Sequence, residues 1–154
     1  MNNFLKLETT KLGTAAEDMV GSEFIISKGY MPFNPAVSCS HPIDFIAMSG
    51  ASKFNLDVKA KSRMVYLPYT GIDLKDYNEY KTYTEPTYLL FVDPSSSSVY
   101  GQWLSRLDKH PSKIYGGGNM EEVIVWPVSG MTHYRDLTTE ETKTLKQYEN
   151  SNYR

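Results

Sequence analysis

The feature that most constrains this chain is a charged pair inside a strand-like run. Residues 53–63 predict a strand, in which successive side chains point to opposite faces, so Asp57 and Lys59 share one face. The other face carries the apolar residues Leu56, Val58 and Ala60. The apolar residues can be buried in a core, whereas the charged residues can be buried only if their charges are paired. The strand is therefore expected to separate a core from a polar cleft.

A second acid lies inside the preceding apolar run. Residues 43–48 predict a strand, and the Ser-Gly-Ala-Ser sequence at 49–52 predicts the turn of a hairpin with 53–63. Asp44 is thus either exposed at a strand end or kept for a function. The hairpin brings Asp44 and Asp57 onto neighbouring strands.

An amphipathic helix over residues 14–28 precedes the hairpin, because apolar residues recur there at helical spacing. Thr14 and Glu17 have the spacing of a capping box at a helix start, and Gly29 is suited to end the helix. Glu17 would supply a third carboxylate. Glu23, on the same helix, is the alternative if the helix register differs.

The rest of the chain predicts further strands and helices around the same sheet. The expected elements are a short strand near 30–33, a helix over 73–83, strands over 87–93, 99–104 and 122–128, a glycine-rich loop over 113–119, and a helix from Thr138, which forms a capping box with Glu141. This order predicts an α/β (α+β) sandwich with a central mixed β-sheet flanked by helices. No linker divides the chain, so residues 1–154 are expected to form one domain, with a core over about 13–128 and a C-terminal helix over about 138–150.

Charge excludes some functions and permits others. The net charge of -2 and pI near 5.9 argue against a dedicated nucleic-acid coat protein. Residues 28–66, however, contain five basic and two acidic residues, an excess of three positive charges around the motif. The electrostatic field near the motif matters more for substrate binding than the net charge of the whole chain, so the acidic net charge does not exclude a nucleic-acid enzyme.

Cysteine content and hydropathy predict an intracellular, cytoplasmic protein. Cys39 is the only cysteine, so no intrachain disulfide can form. No apolar run is long enough to span a membrane, and the N-terminus lacks the apolar core of a signal peptide. Cys39 and the three histidines (His41, His110 and His133) match no familiar zinc spacing.

Carboxylates beside a lysine suit the hydrolysis of a phosphodiester. Mg²⁺ prefers carboxylate oxygens, water and phosphate, and it both activates water and offsets phosphate charge. Asp44 and Asp57 supply such ligands, and Glu17 completes or tunes the set. The Lys59 amine would hold or help deprotonate the attacking water, or offset charge in the transition state.

Basic residues near Lys59 are candidate nucleic-acid contacts. Lys61 and Arg63 continue its face and would contact phosphates flanking the cut; the alternative is a solvated strand edge. Lys53 is a candidate of the same kind, although a simple turn charge is the commoner role at its position. His41 precedes Asp44 in a loop and would contact either the site or solvent.

These residues resemble the motifs of the PD-(D/E)XK nuclease superfamily, with its restriction-endonuclease-like αβββαβ core. The similarity is greatest to the branch of archaeal Holliday-junction resolvases. The motifs, in chain order, are Gly13 followed by Glu17, the helix exit Lys28-Gly29-Tyr30, Asp44 within Ile43-Asp44-Phe45-Ile46-Ala47, and Asp57-Val58-Lys59. The family's proline is not adjacent to the aspartate here, since Ile43 separates Pro42 from Asp44.

The resemblance implies a metal-dependent endonuclease acting on DNA, branched or structured DNA included. Glu17, Asp44, Asp57 and the Val58 carbonyl would be ligands of Mg²⁺, for which Mn²⁺ would substitute, and Lys59 would be the catalytic lysine. A homodimer is plausible, since cutting two strands needs two sites. The alternative function is a catalytically inactive domain of the same fold that binds nucleic acid or a protein partner.

Overall fold

The computed structural model describes residues 3–35 and 43–151, and the side chains within 12–35 and 43–149. Cys39, His41 and Pro42, weighed above, lie outside the described residues. The helices are α1 (Asn3–Ser27), α2 (Leu74–Tyr80), α3 (Leu104–Leu107) and α4 (Thr139–Ser151). The strands are β1 (Met31–Phe33), β2 (Phe45–Ser49), β3 (Ser52–Ala60), β4 (Tyr69–Asp73), β5 (Thr87–Asp93), β6 (Ser98–Trp103), β7 (Lys113–Gly117), β8 (Met120–Pro127) and β9 (Thr132–Asp136).

Six of the described strands form a mixed sheet in the order β1-β2-β3-β5-β6-β9. The β3–β5 pair is parallel and its neighbours pair antiparallel. Strands β4, β8 and β7 form a second, antiparallel sheet. The predicted class, a central mixed sheet flanked by helices, is confirmed.

Two apolar layers cover the central sheet. On one face, α1 and α4 pack through residues such as Val20, Phe24 and Leu145 against Leu56 and Val58 of β3. The other face packs against α2, α3 and the second sheet; this layer contains Ile72, Tyr80, Leu89, Phe91, Leu107 and Trp126. Every residue of β5 is buried, as expected of a strand covered on both faces.

Helix α1 begins at Asn3, eleven residues before the predicted start at Thr14. The capping-box prediction for Thr14 and Glu17 is therefore wrong, because both lie inside the helix. Leu12 is buried in the core, which favours continuing the helix through Gly13. The predicted end is confirmed: Gly29 has φ +82°, and its N–H donates to the Ile26 carbonyl at 2.9 Å.

Several other predicted boundaries are wrong. Helix α2 is shorter than the expected 73–83, and strands β4 and β9 and helix α3 were not anticipated. Residues 113–117, expected in a loop, form β7. All five residues of β7 are exposed, so no alternation of apolar and polar residues marks them as a strand.

Arg135 of β9 joins both helices of the first layer. Its guanidinium forms two hydrogen bonds with Glu141 of α4, at 2.8 and 3.0 Å, and one with Glu23 of α1, at 2.8 Å. The predicted capping box at α4 is confirmed: the Thr138 N–H donates to Glu141 Oε1 at 2.9 Å, and the Glu141 N–H donates to Thr138 Oγ1 at 3.1 Å. Glu23, considered above as the alternative to Glu17, accepts hydrogen bonds from Tyr134 and Arg135 in this network.

The replacement Glu141→Gln is expected to lower the free energy of unfolding at pH 7 by about 1 to 2 kcal/mol. Hydrogen bonds from Arg135 lower the pKa of Glu141 to about 2, so its contribution is present above the unfolded value of 4.5 and is lost as the pH falls from there toward 2. Urea unfolding at pH 7 and pH 3 should show the difference between variant and parent shrinking at the lower pH. An equal difference at both values would contradict this assignment.

Candidate active site

Three elements bring the predicted acids to one pocket of about 270 Å³. Glu17 comes from α1, Asp44 from the position before β2, and Asp57 and Lys59 from β3. Val58 also lines this pocket. The four charged residues singled out in the sequence are therefore neighbours in the fold.

The β2–β3 hairpin fixes Asp44 beside Asp57. The strands pair antiparallel, with Phe45 opposite Leu56 as the last pair before the site. Beyond that pair, the Val58 N–H donates to Asp44 Oδ2 at 2.7 Å. The Asp44 carboxylate thus takes the place of a backbone acceptor for the Val58 N–H, at the point where β3 extends beyond its pairing with β2. This hydrogen bond holds Asp44 against the strand that carries Asp57.

Close packing of α1 on β2 places Glu17 at the same pocket. Ala16 and Val20 are fully buried against the sheet, which leaves Glu17 half-buried at the rim. Gly21 permits this approach, since a Cβ there would lie 2.2 Å from the Phe45 ring. The Glu17 carboxyl consequently interacts with Asp44, which in turn interacts with Asp57.

Burial and mutual proximity make these carboxyl groups hard to ionise. The Asp57 side chain is 2% exposed, and burial raises its pKa to about 8 even though Lys59 opposes the shift. Burial likewise raises the pKa of Asp44 to about 6 and that of Glu17 above its usual value. A bound cation would relieve the same cost by neutralising the cluster.

Helix α2 contributes two residues that the sequence did not single out as site residues. Asp76 Oδ2 and Asp57 Oδ2 each lie 3.2 Å from Lys59 Nζ, and the Tyr80 hydroxyl donates to Asp57 Oδ2 at 2.7 Å. Burial opposes the charge on Lys59, but the two aspartates hold its pKa above the usual value. The available signal was the i, i+4 spacing of Asp76 and Tyr80, which places them on one helix face.

The predicted nucleic-acid contacts lie in three different settings. Lys61 Nζ donates to the Gly71 carbonyl at 3.3 Å, and burial lowers its pKa. Arg63 forms an ion pair with the buried Asp93 at 2.8 Å, which gives it a structural role without nucleic acid. Lys53 is exposed near the hairpin turn, four residues or about 13 Å along β3 from Asp57. Binding of phosphate by these three residues stays a prediction.

The donor set is made of carboxylate oxygens, which suits Mg²⁺ or Mn²⁺. Across residues 3–35 and 43–151, no three Asp, Glu, His or Cys side chains are already arranged around one metal position. Instead, the Asp44 carboxyl group interacts with Glu17 on one side and with Asp57 on the other. Carboxyl groups adopt such contacts when shared protons offset their repulsion. The chemistry of the donors nevertheless fits a hard divalent cation.

Comparison with known proteins supports the fold. The structure is similar to that of Hjc from Archaeoglobus fulgidus, a Holliday junction resolvase from an archaeal hyperthermophile, with a TM-score of 0.51 and 13% sequence identity. The similarity covers 77% of this chain and 85% of that chain. At 13% identity, this similarity shows a shared fold.

The sequence comparisons add no family. No protein-family model matches this chain, and no curated protein matches it significantly. Within the described part of the chain, no helix has both the length and the hydropathy required to cross a membrane.

The replacement Asp57→Asn is expected to raise the melting temperature of the metal-free protein at pH 8.5 by about 2 to 4 °C, or about 1 kcal/mol. The pKa of Asp57 is raised on folding, so its ionisation opposes folding increasingly as the pH rises from 3.8 to about 8. Thermal unfolding in EDTA measures this effect, which should be smaller at pH 5. A lower melting temperature at pH 8.5 would contradict this account of the site.

Proposed function

We propose that the protein is a Mg²⁺-dependent endonuclease that hydrolyses phosphodiester bonds in DNA. The observation that carries the proposal is the convergence of Glu17, Asp44, Asp57 and Lys59, from three separate elements, on one pocket. A structural role alone does not account for three carboxyl groups held together at an electrostatic cost. Similarity to a resolvase of the same fold supports the reaction class.

In this proposal Glu17, Asp44, Asp57 and the Val58 carbonyl hold the cation. When bound, Mg²⁺ lowers the pKa of a water molecule and offsets negative charge on phosphate. The carboxylates fix the geometry at the edge of the sheet, where a phosphate can approach from solvent. Mn²⁺, which also accepts oxygen ligands, is expected to substitute.

Lys59 is the proposed catalytic amine. Its ammonium group, kept charged by Asp57 and Asp76, would donate to the attacking water or to a phosphate oxygen as charge develops in the transition state. Asp76 and Tyr80 act as positioning residues: Asp76 directs the amine, and Tyr80 holds one oxygen of Asp57. The other Asp57 oxygen is then available to the cation.

DNA is the proposed substrate because the similar solved structure is a Holliday junction resolvase. Lys61, Arg63 and Lys53 are proposed phosphate contacts that position the duplex without reading its sequence. Branched DNA belongs among the substrates tested, although the acidic balance of this chain differs from that of the basic resolvases. A homodimer would place two such sites on opposite strands.

Replacing Asp57 or Lys59 by alanine is expected to reduce cleavage at least about 100-fold while the fold is retained. The assay uses plasmid, single-stranded and branched DNA and a matched RNA, each with Mg²⁺, Mn²⁺ or EDTA. Glu140→Ala and Lys143→Ala are matched controls, since both residues are exposed on α4. Equal rates for the site variants and the parent would remove these residues from the mechanism. A parent protein that binds DNA and never cuts it would favour the inactive binding domain.

Replacing Asp76 by asparagine is expected to lower kcat about tenfold with little change in KM, because the Lys59 amine loses one of its two carboxylate partners. Glu140→Gln is the matched control: it removes one negative charge from an exposed side chain on α4, which does not line the pocket. Steady-state kinetics on one DNA substrate separates the two parameters. A change in KM alone would assign Asp76 to DNA binding.

A further inference from the structure

A second pocket lies beside the C-terminal end of α1, beyond the acids. It has a volume of about 280 Å³, and four aromatic side chains line it: Phe24, Phe54, Tyr88 and Trp103. We refer to it as the aromatic pocket. The rings meet edge-on, with Trp103 5.2 Å from Phe54 and 5.1 Å from Tyr88 between centroids. Three of the rings belong to the core, while Trp103 is only half-buried and so forms a wall that a ligand can reach.

Two cations stand at the mouth of the aromatic pocket. Lys28 and Arg106 both line it and are both exposed. Lys28 Nζ lies 5.3 Å from the centroid of the Phe24 ring. Burial raises the pKa of the Tyr88 hydroxyl, and the nearby positive charge of Arg106 partly opposes this shift. Among the described residues, neither cation forms an ion pair with a carboxylate. The mouth therefore has positive charge to offer an anionic group.

A buried amide adds a polar group to the wall. Gln102 is 9% exposed, and its Oε1 accepts a hydrogen bond from the backbone N–H of Trp103 at 3.0 Å. Its amide nitrogen has only long contacts, at 3.4 Å to the Gly130 carbonyl and 3.5 Å to Thr132 Oγ1. Those distances exceed the usual range for an N–H donor. The amide thus keeps donor capacity for an acceptor in the pocket.

Helix α1 links the aromatic pocket to the candidate active site. At 1.5 Å per residue, Phe24 lies about 10 Å and Ser27, the last residue of α1, about 15 Å from Glu17 along the helix. Nucleotides of a duplex strand are spaced about 3.4 Å apart, so this span corresponds to about three to five nucleotides.

We propose that the aromatic pocket binds one unstacked nucleotide of the DNA strand. The base would pack on Trp103, the Gln102 amide would donate to a base carbonyl, and the adjacent phosphate would lie between Lys28 and Arg106. Aromatic walls with flanking cations are the general means of binding single-stranded nucleic acid. This inference rests on the proposed function, since it names the form of DNA that the enzyme prefers: DNA with an unpaired base a few nucleotides from the cut.

The test measures binding without cleavage. A six-nucleotide oligothymidylate is titrated into the parent protein in EDTA, and tryptophan fluorescence is followed. Quenching is expected, and Trp103→Phe should abolish it because Trp126 is 1% exposed in the opposite layer. An abasic oligonucleotide of equal length and inorganic phosphate are expected to quench little. Quenching that persists in Trp103→Phe, or that the abasic strand matches, would overturn the proposal.

A double variant tests the cations. Lys28→Ala with Arg106→Ala is expected to weaken oligothymidylate binding at least about tenfold. Lys143→Ala with Lys146→Ala removes the same charge from exposed positions on α4 and is expected to change binding less than about twofold. Equal affinities for the two double variants would overturn the proposal. Circular dichroism checks that each variant is folded.

Cleavage assays in Mg²⁺ keep the two proposals apart. Normal cutting by the parent without oligothymidylate quenching would contradict the aromatic pocket alone. Quenching that depends on Trp103, Lys28 and Arg106, in a protein that cuts no DNA, would contradict the proposed nuclease activity alone.

Discussion

A carboxyl group buried at the edge of the sheet is the constraint on which the rest of the site depends. Asp57 projects from β3 toward the layer formed by α2, where a charge without partners would be costly. Tyr80 and Lys59 satisfy one of its oxygens, and Asp76 holds Lys59 in place. The contacts of Tyr80 with Asp57 and of Asp76 with Lys59 therefore help to fix the orientation of α2 on β3.

The elements that carry the carboxyl groups are held mainly by apolar packing and strand pairing, and α2 is tied to the site as well, through the hydrogen bond from Tyr80 to Asp57. Helix α1 is anchored by its apolar face, the β2–β3 hairpin by its register, and α2 by Tyr80 in the second layer. Each element delivers one or two polar side chains to the pocket as a consequence. Apolar burial therefore offsets the electrostatic cost of bringing like charges together, an arrangement common in functional sites.

Sequence patterns predicted the parts of this arrangement that depend on periodicity. Alternation in residues 53–63 predicted Asp57 and Lys59 on the strand face opposite Leu56 and Val58, and the hairpin predicted Asp44 beside Asp57; the structure bears out both. The polar cleft expected on that face is wrong for Asp57, because a second apolar layer buries it. The end of α1 at Gly29 and the capping box at Thr138 followed from local rules and are confirmed. Glu17 was placed at a helix start and lies inside the helix, yet it still reaches the pocket because α1 packs closely on Phe45.

Residues fixed by tertiary packing escaped prediction. Asp76 and Tyr80 sit on a seven-residue helix, whose orientation a sequence pattern does not specify. Strands β7 and β9 are largely exposed and carry no strong alternation, so their pairing depends on β8 and β6. The ion pair of Arg63 with Asp93 joins residues thirty positions apart, and the sequence pattern, which offered a phosphate contact or a solvated strand edge for Arg63, did not predict this partner.

The most direct test of the central claim is to locate Mn²⁺ by anomalous scattering in crystals grown with the ion. The account predicts one ion in the pocket, within about 2.2 Å of carboxylate oxygens from Asp44 and Asp57 and near Glu17 and the Val58 carbonyl. A fully loaded crystal with manganese elsewhere, and with Asp57 still bound to Asp44, Tyr80 and Lys59, would contradict it.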